Sequence, residues 1–324
     1  MSSLPSIHIL YENSDWLEPL TNALVEAGFD DVHLVKLADG LLDANQAPAE
    51  GVWINRISPS SHTRGNHNTV QLARDFLYWL ELYGRRVING LKAFEFEMSK
   101  FRQDLILQKY GIQTPKTVLV VGSDKLKEAA LQFDHPFITK HNQGGKGLGI
   151  KLFQSADEFN QHIETIGLEP SPDGKFILQE YIKPANNNIT RVEVVGDRFI
   201  FAMNSSTADG FELCPSDVCQ NKAAQKSPDV CPIDGSSKFS PSTLDSTDPL
   251  VDKYLRLIQS EGIDVAGIEF VEADDGQRYT YDINGTTNYN AQLGSQIGVD
   301  GMAELVDYVK RVNVKSPRLT RSHS

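Results

Sequence analysis

The chain has 324 residues, 40% of them hydrophobic and 23% charged, the proportions of a soluble globular protein long enough for two or three domains. A formal net charge of −12 and a pI near 5.1 argue against a nucleic-acid surface as its main business. No apolar run approaches the roughly 18 residues of a membrane span and no basic start leads into an apolar stretch, so a cytoplasmic protein with neither nucleic-acid nor membrane partner is expected.

In chain order, Ile7 to Tyr11 is a short apolar strand, followed by a helix that Ser14 would cap and Gly28 would end, with Leu17, Leu20, Leu24 and Ala27 on one face. Strand signals at Val32 to Leu37, Val52 to Asn55 and Arg86 to Ile88, with a helix from Thr69 to Tyr83, predict a small parallel sheet with helices on its faces. In such sheets ligands sit beyond the carboxyl ends of the strands, where Asn55 and Arg56 stand. One helix is expected from Ala93 to Tyr110, stopped by Gly111 and Pro115. Strands at Lys116 to Val121, Pro136 to His141 and Ile150 to Phe153 follow, with helices capped by Ser123 and Ser155, as a separate small α+β unit. From Phe176 the β-branched composition predicts a larger antiparallel sheet, and Asp248-Pro249 opens a helix within it.

The expected domains are 1–90, an N-terminal α/β substrate domain; 91–182, linking helices and a small lid; and 183–315, the larger antiparallel-sheet domain. Residues 205–247, crowded with Ser, Asp, Pro and Gly, read as a mobile covering loop, and 316–324 as a flexible tail. Cys214, Cys219 and Cys231 fall within that loop; their odd number and spacing leave plain thiols, a redox thiol and a metal site open.

The chemistry concentrates late in the chain. Val265 to Val271 and Tyr281 to Asn284 read as adjacent strands joined by the turn Asp274-Asp275-Gly276, bringing Glu269, Asp282 and Asn284 to one spot. Hard oxygen donors on neighbouring strands suit magnesium bound to nucleotide phosphates. Upstream, Gly144-Gly145-Lys146-Gly147-Leu148-Gly149 joins two strands, unlike a Walker loop or a dinucleotide fingerprint, which open helices. A glycine-rich hairpin can fold over a triphosphate and donate backbone N–H groups to it. Lys140 closes the strand before it and Lys100 sits on the earlier helix, two point charges for phosphate.

These motifs resemble the ATP-grasp superfamily, and within it the carboxylate–amine ligases similar to ribosomal-protein-modifying glutamate ligases and glutathione synthetase. The resemblance spans roughly residues 89–312. It rests on Pro136 to Lys140 with the glycine hairpin, on Gln179-Glu180-Tyr181-Ile182, on Arg191 followed by Val194 to Asp197, and on Gly267-Ile268-Glu269 paired with Asp282-Ile283-Asn284. It implies an ATP-grasp fold and an ATP-dependent ligase that makes an amide through an acyl phosphate, from a small-molecule or peptide carboxylate and an amine, as a homo-oligomer. A small-molecule kinase and a non-catalytic ATP-binding regulator on the same fold are the alternatives.

Carried over, Lys100 and Lys140 are the phosphate lysines, joined by Gly144, Gly145, Lys146, Gly147 and Gly149. Glu180, Tyr181 and Ile182 hold adenine by main-chain contacts, with Lys183 or one of the asparagines after it beside the ribose. Glu269, Asp282 and Asn284 hold magnesium or manganese, with Asn284 also facing substrate, and Arg191 faces the transferring phosphoryl group. Two departures stand out. The family's acidic residue after the hinge is replaced by Pro184-Ala185-Asn186-Asn187-Asn188, and an arginine expected near Ala208 to Cys214 is missing. In the N-terminal domain Arg56 and Arg64, with His62 and His67 nearby, would form a fork for a substrate carboxylate.

Overall fold

The structure is a computed structural model that describes residues 4–38, 40–145, 149–207 and 238–315. The N-terminal sheet contains β1 (Ile7–Tyr11), β2 (Val32–Lys36), β3 (Val52–Asn55) and β4 (Arg86–Ile88), all parallel in the order β2-β1-β3-β4. Its inner strands are apolar on both faces because both faces are covered. Leu20 and Leu24 of α1 (Glu18–Glu26) pack on Ile7, Ile9 and Ile54. On the other face Val70, Ala73, Leu77 and Leu80 of α2 (Thr69–Leu82) meet Leu10 and Trp53. Ser14 opens a single 3-10 turn capped by Asn13, rather than α1 itself, which starts four residues later beside Pro19.

The single helix expected over 93–110 is two, α3 (Leu91–Glu97) and α4 (Lys100–Lys109). Ser99 between them is extended, and its hydroxyl accepts the N–H of Arg102 at 3.3 Å. A serine in a helical pattern competes for backbone hydrogen bonds and here wins as a cap. The break places Lys100 at the first position of α4.

A second sheet takes β5 (Thr117–Val121), β6 (Phe137–His141), β7 (Lys151–Phe153) and β8 (Lys175–Glu180) in the order β5-β8-β6-β7, antiparallel throughout. Phe137, Phe153 and Phe159 fill the space under α5 (Leu126–Ala130) and α6 (Ala156–Thr165). The third sheet has the order β11-β10-β9-β12-β13, with β9 (Asn188–Val195), β10 (Arg198–Ser206), β11 (Phe239–Pro241), β12 (Val265–Glu272) and β13 (Arg278–Asn284). Tyr254, Leu257 and Ile258 of α7 (Pro249–Glu261) cover one of its faces. Two helices not foreseen in the β-rich C-terminal part follow, α8 (Ala291–Ile297) and α9 (Gly301–Lys315). Leu305, Val306 and Val309 of α9 join the N-terminal core beside α1. Each sheet draws its strands from one stretch of chain.

The expected covering loop, 205–247, starts inside β10 and contains β11, which pairs with it; its centre, with Cys214, Cys219 and Cys231, lies outside the described residues, as do Lys146, Gly147, Leu148 and the tail 316–324. No helix among the described residues is long and apolar enough to cross a membrane.

Candidate active site

Strands β9, β12 and β13 lie side by side, and their register sets the site. Arg191 pairs with Glu269, and Glu269 with Asp282; two residues along, on the same face, Glu193 pairs with Gly267, and Gly267 with Asn284. Gly267 is required here: a Cβ on it would stand 1.9 Å from Nη2 of Arg191, so the guanidinium crosses the space a side chain would fill. Arg191 donates Nη1 to Glu269 Oε1 and Nε to Glu193 Oε1, both at 2.7 Å, and Nη2 to Thr287 Oγ1 at 3.1 Å. Burial works against its charge, yet Glu193 and Glu269 outweigh burial and hold the guanidinium above its usual range. Burial pushes the Glu269 carboxyl up; Arg191 pulls it down and the Asp282 charge raises it again.

Asp282 takes an ion pair from Lys100, and Asn284 Nδ2 lies 3.4 Å from Asp282 Oδ2. Against the burial of Asp282, Lys100 and then Lys140 keep it below the usual carboxylate range. Lys140 is buried, donating to Gln179 Oε1 at 2.9 Å and to the Tyr281 carbonyl at 3.4 Å. Burial, then repulsion from Lys100, lowers its ammonium to about 7. The cluster thus comprises three strand carboxylates, two lysines and an arginine at one end of the large sheet.

The donor chemistry at this corner is that of a hard cation. Among the described residues no group of three His, Cys, Asp or Glu side chains stands ready for a metal. The corner offers two carboxylates and an amide oxygen, a partial set of the kind that magnesium completes with phosphate oxygens and water. Glu269 and Asp282, opposite each other on adjacent strands, are answered in this structure by Arg191, Lys100 and Lys140, and a cation there would take over that task when the lysines turn to phosphate.

The glycine hairpin between β6 and β7 reaches the N-terminal sheet: a Cβ on Gly145 would lie 3.5 Å from Cβ of Ser60. Near Ser60 stands Arg56, buried, donating to the Thr287 carbonyl at 2.8 Å and to Asn288 Oδ1. Its Nε has no hydrogen-bond partner, and none of the described residues gives it a carboxylate.

A RimK-like ATP-grasp domain model matches residues 98–213. The chain is 29% identical over 219 residues to a probable alpha-L-glutamate ligase of Xanthomonas campestris pv. campestris (strain 8004), covering 63% of this chain and 71% of that protein. A like-named protein of Xanthomonas euvesicatoria pv. vesicatoria (strain 85-10) is 25% identical over 320 residues, 94% of this chain and 97% of that protein. The fold matches the solved ATP-grasp ligase PsnB, complexed with minimal precursor, Mg and ADP, with a TM-score of 0.62 at 15% identity over 95% of this chain and 98% of that one. The chain has the ATP-grasp fold and carries a RimK-like ATP-grasp domain. It is an ATP-dependent ligase that forms a C–N bond.

In this ATP-grasp ligase, Lys100, Lys140, Arg191, Glu269, Asp282 and Asn284 converge, while other expected site residues do not. The N–H of Glu180 is spent on the Lys116 carbonyl at 2.8 Å and that of Tyr181 on the Pro136 carbonyl at 2.9 Å, so neither is free to read a base edge. Lys183 is exposed. Arg64 does not complete a fork with Arg56: it forms a two-armed pair with the buried Glu12 and stacks on Trp16, so its charge is already answered. His62 contacts the Pro59 carbonyl at 3.2 Å and His67 is exposed.

Three residues of the ATP-grasp ligase went unnoticed in the sequence. Glu193 is legible in retrospect, two positions after Arg191 on a strand and therefore on the same face. Glu97 and Thr286, which bond each other at 2.9 Å, carry no signal, because 189 residues separate them.

Proposed function

We propose that this ATP-grasp ligase activates a carboxylate of an amino acid or peptide as an acyl phosphate and joins it to an amine. The observation that carries the reading is the row Arg191, Glu269, Asp282 across three adjacent strands, with Lys100 and Lys140 converging on its end.

Magnesium or manganese held by Glu269, Asp282 and Asn284 would neutralise phosphate charge during transfer. Lys100 and Lys140 hold the triphosphate as point charges, under backbone N–H groups of the hairpin containing Gly144, Gly145, Lys146, Gly147 and Gly149. The purine edge is read by Ile182 and by main-chain carbonyls of the hinge, since the N–H groups of Glu180 and Tyr181 are engaged. Arg191 faces the γ-phosphoryl group as it passes to a carboxylate oxygen, releasing ADP. Arg56, hydrogen-bonded to the neutral Thr287 carbonyl and Asn288 and with Nε unengaged, holds a substrate carboxylate. The amine nitrogen then attacks the acyl carbon, inorganic phosphate leaves, and the new amide sheds a proton. The names of the Xanthomonas relatives support an amino-acid substrate, and the precursor bound to PsnB supports a larger one.

The test is ADP release from Mg-ATP against paired carboxylates and amines, with product masses recorded. Turnover that needs both partners, and a mass gain equal to condensation with loss of water, supports the reading. A stable phosphorylated product formed without any amine overturns it in favour of a kinase.

A further inference from the structure

Glu97 ends α3 and is buried. Its Oε1 accepts the Thr286 hydroxyl at 2.9 Å and the Thr286 N–H at 3.3 Å. Thr286 lies two residues beyond Asn284, the last residue of β13. The intervening Gly285 is pressed from two sides: a Cβ there would meet Glu97 Oε2 at 2.8 Å and Asn89 Nδ2 at 2.9 Å. Asn89 in turn donates to the carbonyls of Gly285 and Val265, both at 2.8 Å. The turn that leaves the metal corner is therefore clamped between α3 and the residue following β4.

Around the junction of α3 and α4, two acidic or basic side chains tie the end of β13 on either side of Asn284, while Gln103 of α4 holds the Ile283 backbone by two bonds at 2.9 Å. One tie is the Lys100 ion pair with Asp282, the other the Glu97 bonds to Thr286. These two ties differ in fate. If Lys100 moves to a phosphate, as proposed above, its tie to Asp282 is given up when nucleotide binds. Glu97 is not among the residues assigned above to nucleotide or substrate, so its tie persists.

We infer that Glu97 is a positioning residue that keeps Asn284 in register with Asp282 once nucleotide has drawn Lys100 away. The inference rests on the metal reading of Asp282 and Asn284. A carboxyl does this better than a smaller group because one oxygen can accept both donors of Thr286 while the other lies against Gly285.

The experiment is manganese binding to the ADP-loaded protein, followed by electron paramagnetic resonance, beside kcat and KM for ATP. Glu97→Ala is expected to weaken manganese about tenfold, the size of effect that losing one or two buried hydrogen bonds gives. Glu97→Gln, whose amide oxygen still accepts from Thr286, is expected to recover most of that loss. Loss of mere packing would lower the melting temperature of both variants without separating them in metal affinity. Should Glu97→Ala fail to fold, Thr286→Val removes one donor at constant volume and is expected to weaken manganese about threefold. Asp282→Asn is the control. Unchanged manganese affinity in Glu97→Ala (or in Thr286→Val) while Asp282→Asn loses it overturns the inference alone. If Asp282→Asn also keeps its affinity, the metal reading itself fails and the inference with it.

Discussion

Arg191 sits where it does because its neighbour on β12 has no side chain. Gly267→Ala would drive a methyl group into the guanidinium, displacing it from both Glu269 and Glu193. The expected cost is about 1–3 kcal/mol in stability, typical of overpacking, with a larger proportional loss in ATP turnover. Urea unfolding and ADP release check the two parts separately; unchanged turnover would refute the placing of Arg191 at the reacting phosphoryl group. Lys140 carries a second residue-scale prediction. Its ammonium is lowered to about 7 by burial and by Lys100, so at about pH 8 most nucleotide-free molecules hold it neutral. A triphosphate favours the charged form. ATP binding above that pKa therefore takes up a proton, and affinity falls as pH rises through about 7. Calorimetric titration of ATP at about pH 8 in two buffers of different ionisation enthalpy should differ by close to one proton; identical heats would contradict it.

At the scale of elements, the break between α3 and α4 matters most. The Ser99 hydroxyl caps α4 and donates to Asn142 Oδ1 at 3.1 Å, while the Lys100 N–H reaches the Asn142 carbonyl at 3.1 Å. Asn142 directly follows β6 and begins the glycine hairpin, so one serine fixes the helix that carries Lys100 against the strand that carries Lys140. Ser99→Ala is expected to cost about 1 kcal/mol in stability and to raise KM for ATP more than it lowers kcat. Urea unfolding and steady-state kinetics measure the two. The sequence pattern over 93–110 reads as one helix because the apolar spacing continues across the break; the cap is evident only when Ser99 is seen extended. The hairpin, the strands carrying Glu269 and Asp282, and the Asp248 cap of α7 were legible, since each rests on local alternation, turn glycines or a capping residue.

At the scale of the molecule, the N-terminal sheet is locked to the large sheet through Asp264. Its carboxylate accepts the Asn89 N–H at 2.8 Å and the Tyr308 hydroxyl at 2.6 Å, and pairs with Arg86. Asp264→Ala leaves a half-buried guanidinium without its counter-charge and a buried N–H without a partner, so a loss of about 3 kcal/mol is expected in urea unfolding. Asp264→Asn, which keeps an acceptor, should lose less. The same joint aligns Asn89, and through it Gly285, with the active-site strands.

The sequence by itself determined the three-sheet plan and the chemical character of the site, because hydrophobic period, capping residues and glycine turns act over a few residues. Tertiary structure alone decided which charges are free. Arg64 is claimed by Glu12, 52 residues away, and Arg191 by Glu269, 78 residues away. Arg56 meets Asn288 across 232 residues and has no carboxylate at ion-pair distance among the described residues. A side chain's charge is written in the chain, but its partner depends on which distant strands the sheets bring into register.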